Sequence, residues 1–325
     1  MSRDARAFWI REPGRGEIRA TPLPDPGPGD VLVRTLHSAI SRGTEALVFG
    51  GSVPADQYAA MRAPFQDGDF PGPVKYGYLN VGRVEDGAEH LLGRTVFCLF
   101  PHQTEYVVPA SAVVPLPDGL PERRAVLAGT VETAVNALWD ARPLIGDRVA
   151  VIGAGMVGCA AARLLAAIPG VDVTLIDVDG SRAEVAATLG VRFAAPPDAP
   201  GGCDLVLHTS ASSAGLQLAL DLLAAEGRVI ELSWYGDTPV QVSLGGRFHS
   251  SRLAIRASQV GTVSPSQRGR RSSRQRLLLA LRLLRDPAFD ALLTGSSPFE
   301  ELPQVMPRIA DRSLPAICHT IEYRG

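Results

Sequence analysis

Three glycines, Gly153, Gly155 and Gly158, stand in G-x-G-x-x-G spacing within Arg148-Val-Ala-Val-Ile-Gly-Ala-Gly-Met-Val-Gly158. That spacing serves one kind of chemistry, the holding of a pyrophosphate against bare backbone. The first glycine permits a tight turn after a strand. The second, lacking a Cβ, lets the phosphates approach the backbone, and the third lets the following helix pack closely while its N-terminal N–H groups face the anion. A second apolar run, Val171-Asp-Val-Thr-Leu-Ile, ends in Asp177, roughly 20 residues beyond the glycines, where a carboxylate would meet a ribose diol. Such a carboxylate repels a 2'-phosphate, so the sequence predicts NAD rather than NADP. Arg182, five residues on, would lie over the adenosine ribose or neutralise a phosphate.

The elements that position these residues follow from periodicity. Arg148 to Ile152 is a β-branched run that reads as a buried strand, and Cys159 to Ala167 reads as a helix of small residues and leucine. Segments with strand character recur at Asp204-Leu-Val-Leu-His-Thr, Gly227-Arg-Val-Ile-Glu-Leu-Ser and Leu253-Ala-Ile-Arg-Ala-Ser, the rhythm of a parallel sheet covered by helices. Before them, residues 1–122 form short alternating segments broken by Pro and Gly, which predict an antiparallel β domain. Residues 123–262 then make the dinucleotide-binding domain, entered by a helix over Ala125 to Ala141. Residues 263–325 make a return segment, with helices at Gln275 to Leu284 and around Glu300 to Ala310 and a last strand at Ala316 to Tyr323.

Composition sets outer bounds. With 46% hydrophobic residues, 20% charged residues and a net charge of -2, the chain is an ordinary globular one without the field that gathers nucleic acid or an anionic membrane. The basic run Arg268-Gly-Arg-Arg-Ser-Ser-Arg-Gln-Arg276 reads as a solvated loop and helix start. Cys98, Cys159, Cys203 and Cys318 have no paired spacing, which predicts reduced thiols in a cytoplasmic protein. No apolar run reaches membrane-spanning length, and no signal-type segment follows the N-terminus.

The order of β domain, dinucleotide domain and return segment resembles the medium-chain dehydrogenase/reductase superfamily. The likeness is carried by Glu17 to Arg34, Gly77-Tyr-Leu-Asn-Val-Gly-Arg-Val84, Thr104-Glu-Tyr-Val-Val-Pro109, the glycine turn, and Asp290-Ala-Leu-Leu-Thr-Gly followed by Pro298-Phe-Glu-Glu. It implies an α/β protein with a GroES-like catalytic domain, a Rossmann domain, an active site in the cleft between them and a homodimer formed through the nucleotide-binding domain. Zinc members carry three metal ligands, and their positions correspond here to Ser41, to Tyr78 in Gly77-Tyr78-Leu79, and to Gly129 or Thr130. These residues cannot supply the thiolate and imidazole of a tetrahedral zinc site. Cys98 and His102 lack a third ligand, so no metal is expected. Ser41-Arg-Gly-Thr-Glu45 with Leu47 and Gly50 resembles the zinc-free branch that includes bacteriochlorophyllide a dehydrogenase.

On that resemblance Tyr78 replaces a metal-ligand histidine, and its phenol would donate to a developing alkoxide. His102 suits a proton relay. Glu45 and Glu132 are further proton carriers, with Ser41, Phe100, Glu132 and Gln259 lining the substrate pocket. The cofactor would meet Arg42, Thr133, Met156, Val157, Ser210, Leu232, Ser233, Trp234 and Ser258 besides the glycines, Asp177 and Arg182. His208, His249 and His319 read as structural. The function this predicts is zinc-independent, NAD-linked interconversion of a secondary alcohol and a ketone on a small or medium metabolite. A reductase of activated C=C bonds and a catalytically silent dinucleotide-binding protein are the alternatives.

Overall fold

The computed structural model describes residues 3–324. Two compact units emerge. One comprises the chain up to Gly129 together with Leu293 onward, and the other Thr130–Leu292.

The first unit is built on two sheets. A four-stranded sheet has the order Arg15–Leu23, Arg3–Glu12, Val74–Lys75, Asp67–Gly68. The larger sheet runs Leu293–Pro298, Cys318–Glu322, Asp30–Ile40, Asn80–Gly87, Thr95–Cys98, Val114–Pro115, with Glu105–Pro109 also pairing to Asp30–Ile40. The long Asp30–Ile40 strand is the spine, and Val31, Val33, Ala39 and Ile40 along it are buried. It hydrogen-bonds antiparallel to Cys318–Glu322, so the last strand of the chain, anticipated at Ala316 to Tyr323, completes the sheet that the first hundred residues begin.

The second unit holds a six-stranded parallel sheet in the order Arg192–Ala194, Asp172–Ile176, Arg148–Ile152, Cys203–His208, Leu223–Glu231, Ala254–Ala257. In chain order this is 3-2-1-4-5-6, the doubly wound arrangement whose ligand crevice opens at the carboxyl ends of strands one and four. Val149 to Ile152 and Val173 to Ile176 are continuously buried, because helices cover both faces of the sheet.

The boundaries expected at 122/123 and 262/263 lie elsewhere in the structure. The entering helix Ala128–Ala141 straddles the boundary, and residues 263–292 stay with the second unit. Arg163 Nε meets Asp286 Oδ2 at 2.7 Å, and a second tie of residues 263–292 to this unit is Arg276. Only 2% exposed, it gives Nε to Glu132 Oε1 at 3.0 Å, Nη1 to Asn136 Oδ1 at 2.6 Å and Nη2 to the Val260 carbonyl at 2.5 Å. A guanidinium taken out of water is tolerable only when paired and fully hydrogen-bonded, so the Ser273–Leu283 helix is bound to the helix that carries Glu132. The basic run therefore corrects the reading of a solvated stretch at this one residue. Its earlier arginines are exposed and its last is buried. Residues Ser272 and Gln275 close a reciprocal capping box at the start of that helix.

All four cysteines are free and buried. Among the described residues no helix is long and apolar enough to cross a membrane.

Candidate active site

In the second unit the glycine turn has the geometry its residues demand. Gly153 sits at φ 106°, and a Cβ there would lie 2.9 Å from the Ser210 nitrogen. On Gly158 a Cβ would come within 1.9 Å of the Gly153 carbonyl oxygen, so only glycine lets helix and strand close on each other. Gly155 is the N-cap of the Met156–Ala166 helix, and no side chain caps that end. Its leading N–H groups are left to an external anion. Met156 is buried and Val157 half-buried in the same turn.

Asp177 closes the turn from the neighbouring strand. Its Oδ2 accepts the Ala154 N–H at 2.6 Å and its Oδ1 the Asp179 N–H at 2.9 Å. A carboxylate offers about four acceptor positions, which leaves capacity for a ribose diol. Arg182 is committed to Asp179, with Nε to Oδ2 at 3.1 Å. The cradle fits a dinucleotide by these two criteria: bare backbone where phosphates would approach, and a carboxylate with spare acceptors one strand away.

Other residues assigned to the cofactor follow the strand ends. Ser210 Oγ is 2.7 Å from His208 Nε2, and the Ser233 N–H donates to Glu231 Oε1 at 2.7 Å. Leu232 donates its N–H to the His208 carbonyl, and Leu232 and Trp234 are half-buried. Ser258 donates to Asp140 Oδ2 at 2.7 Å, and the Gln259 carbonyl accepts from Asn136 Nδ2 at 3.2 Å, so both brace the entering helix. Thr133 is half-buried on that helix. Its neighbour Glu132 is held by Arg276; burial raises its carboxyl above the usual value while the guanidinium opposes that rise.

In the first unit the structure brings Ser41, Glu45, Tyr78 and His102 together. Tyr78 OH donates to Ser41 Oγ at 2.6 Å, and the Ser41 N–H donates to Glu45 Oε1 at 2.8 Å. Glu45 Oε2 lies 2.9 Å from His102 Nε2, whose Nδ1 is 2.7 Å from Ser38 Oγ, itself 2.9 Å from Tyr323 OH. Glu45, His102 and Ser38 are all at most 3% exposed. The approach depends on Gly77. It sits at φ 135°, and a Cβ there would stand 3.1 Å from His102 Cδ2. Burial, with the Glu45 carboxyl adding to it, pushes the Tyr78 phenol up to about 12, against the opposing hydrogen bonds of Ser41 and Thr44. Ser38, His102 and Glu45 have the connectivity of a nucleophilic triad, yet a serine 1% exposed cannot reach an acyl carbon.

Gly129 is, with Thr130, one of the two residues that the resemblance sets at the third position of a metal ligand in zinc relatives. A Cβ on it would lie 2.7 Å from Leu79 Cδ2 and 3.9 Å from Tyr78 Cδ2. The three positions therefore converge, and what converges is a hydroxyl, a high-pKa phenol and a bare backbone, a donor set unfit for zinc. Among the described residues no three His, Cys, Asp or Glu side chains are grouped to hold a metal ion. Phe100 is buried and stacked on Tyr106 with centroids 3.8 Å apart. Arg42 Nη1 reaches the Ala316 carbonyl at 3.3 Å. Sequence reasoning missed Ser38 and Tyr323: alternation along the Asp30–Ile40 strand marks Ser38 as inward only once the pairing of the last strand is known.

No family model matches the chain. Among curated relatives, an L-threonine 3-dehydrogenase from Deinococcus radiodurans is 29% identical over 215 residues, which is 58% of this chain and 61% of that protein. An alcohol dehydrogenase from Cupriavidus necator is 28% identical over 234 residues, 58% of this chain and 62% of that protein. The chain thus spans about three fifths of the length of these relatives. Solved structures match along the whole chain. The L-idonate 5-dehydrogenase of Escherichia coli has a TM-score of 0.80 at 14% identity, covering 99% of each chain. An Escherichia coli alcohol dehydrogenase complexed with NADH has a TM-score of 0.77 at 17% identity, covering 98% of this chain and 99% of the other.

Proposed function

We propose that this chain, a member of the medium-chain dehydrogenase/reductase superfamily by its fold and its sequence relatives, is a zinc-independent, NAD(H)-linked oxidoreductase that interconverts a secondary alcohol and a ketone. The observation that carries the reading is the Tyr78 to Ser41 hydroxyl pair at 2.6 Å, standing where the ligands of a catalytic zinc would converge. The glycine turn, the uncapped helix start and Asp177 would hold the dinucleotide. Nicotinamide, when bound, supplies or accepts the hydride.

The residues of the first unit would handle the oxygen and its proton. A phenol is protonated across the neutral range, and burial raises Tyr78 further, so it acts as a hydrogen-bond donor to charge developing on the substrate oxygen. The buried chain supplies proton mobility. Read in one direction, Tyr323 OH donates to Ser38, Ser38 to His102 Nδ1, and His102 Nε2–H to Glu45; read in the other, each donor and acceptor exchanges roles. Glu45, anchored by the Ser41 N–H, is the terminus nearest the Tyr78 pair. Preference for NAD(H) over NADP(H) is supported by Asp177 at the strand end and by Arg182 being engaged with Asp179.

The test is turnover of NAD⁺ at 340 nm with L-threonine, L-idonate and other secondary alcohols, the purified chain being assayed against a Tyr78→Phe control. NAD⁺ reduction by at least one alcohol, abolished or strongly slowed in the control, is expected. Activity only with NADPH and enones would replace this reading with that of a C=C reductase.

A further inference from the structure

The carboxyl edge of the parallel sheet carries a second polar cluster that the mechanism above leaves unused. Register places Ile152, His208, Glu231 and Ala257 side by side at the ends of four successive strands. The residues preceding them, Val206, Leu207, Val229 and Ile230, are buried and apolar, as a sheet covered on both faces requires. Two ionisable side chains at the end of such strands need a compensating role, because burying a histidine and a carboxylate costs free energy unless every polar atom is met.

Each of those atoms is met, and by loop residues. His208, fully buried, has Nδ1 2.7 Å from Glu231 Oε2 and Nε2 2.7 Å from Ser210 Oγ. Glu231 Oε1 accepts the Ser233 N–H at 2.7 Å, and Oε2 accepts Tyr235 OH at 2.9 Å. Ser210 Oγ is 2.9 Å from Ser212 Oγ, which caps the Ser213–Leu222 helix through the Gly215 N–H. Ser233 Oγ accepts the Ala211 N–H at 3.1 Å, and Thr209 Oγ1 donates to the Gly153 carbonyl at 2.8 Å. One histidine–glutamate pair thereby joins the loop after the fourth strand, the loop after the fifth and, through Thr209, the glycine turn itself. Although burial pushes Glu231 up, the hydrogen bonds from His208 and Ser233 hold it below its usual value.

Placement gives the pair its object. Asp177 ends the second strand and marks the adenosine half of the crevice. His208 and Glu231 end the fourth and fifth strands, on the opposite side of the switch point, where the other mononucleotide of a dinucleotide is accommodated. We infer that the His208–Glu231 pair, with Tyr235 and Ser210, is a positioning device for the nicotinamide half of the cofactor, holding the 209–212 and 232–235 loops in the conformation that receives it. This rests on the reading of the second unit as a dinucleotide site.

The experiment compares NADH and ADP binding by calorimetry in the wild type, Glu231→Gln, His208→Gln and Tyr235→Phe. ADP occupies only the adenosine half, so it separates positioning of the nicotinamide half from general damage. Glu231→Gln keeps shape and the Ser233 contact but removes the charge that orders the cluster, and an NADH dissociation constant raised about tenfold with ADP affinity held within about twofold is expected. Tyr235→Phe, which removes one donor and nothing else, should move NADH in the same direction by a smaller factor and provides the readout should the histidine variant misfold. Equal losses for ADP and NADH, or no loss for NADH, would overturn the inference. A wild type that binds neither ligand would remove the dinucleotide reading and the inference with it, whereas tight ADP and NADH binding that is insensitive to all three changes would remove the inference alone.

Discussion

Glu132 illustrates how burial and partners separate a strut from a catalyst. Its carboxylate meets Arg276 Nε at 3.0 Å, and the two side chains are 7% and 2% exposed. Changing Glu132 to Gln keeps the volume and one acceptor but leaves a guanidinium deep in the second unit without a counter-charge. Removing one partner of a buried pair costs about 3 to 5 kcal/mol. The contacts from Arg276 to Asn136, Val260 and Thr262 survive the change, which argues for the lower end. For a unit of this size about 3 kcal/mol corresponds to roughly 6 to 12 °C in Tm. Arg276→Met alone should destabilise too, by stranding the carboxylate. The double variant should recover much of the loss, since two apolar or neutral side chains need no desolvated charge. The assay is a thermal-melt double-mutant cycle, with NADH affinity measured on each folded variant. Additive losses with no recovery in the double variant would refute the ion-pair argument. Unchanged Tm together with a collapse of turnover in Glu132→Gln would restore Glu132 as a proton carrier.

Three further outcomes follow from the geometry. Gly158→Ala should weaken NADH binding by at least about tenfold, because its Cβ would sit 1.9 Å from the Gly153 carbonyl and force helix and turn apart; fluorescence titration checks this. Tyr78→Phe should lower kcat by about 10²-fold while leaving the NADH dissociation constant within a factor of about two, since the lost donor faces developing charge; steady-state kinetics paired with a binding titration separates the two. Burial, with Arg308 adding to it, lowers His319 below 6.5, so the folded state binds its proton more weakly than the unfolded chain. The associated stability is fully present above about 6.5 and is lost as the pH falls below that value and through the lower folded-state one, so Tm should decline on acidification and less steeply in His319→Gln.

The glycine turn, Asp177 and the parallel sheet were legible because each is written in local pattern: fixed glycine spacing, β-branched runs and a carboxylate at a strand end. The resemblance assigned Ser41, Tyr78 and either Gly129 or Thr130 to the ligand positions, and of these Ser41 and Tyr78 share a hydrogen bond with Gly129 beside Tyr78. Long-range partners were the illegible part. Nothing near Glu132 in sequence announces Arg276, 144 residues away. Nothing near Ser38 announces Tyr323, whose hydroxyl arrives only because the final strand pairs beside Asp30–Ile40. His208 read as structural for want of a visible partner, yet its partner Glu231 is its direct neighbour in the strand register. The second boundary was misplaced for the same reason, since periodicity sees the Ser273–Leu283 helix but not the long-range contacts, Arg276 to Glu132 among them, that tie it to the second unit.

In the proposed reaction hydroxyl groups, in place of a metal, meet the substrate oxygen. The most direct test is metal analysis of the purified protein alongside its NAD⁺-dependent activity before and after exhaustive chelation. Zinc far below one per chain and a rate unaltered by the chelator are expected. About one tightly held zinc per chain, with activity lost on its removal and restored on its return, would contradict it.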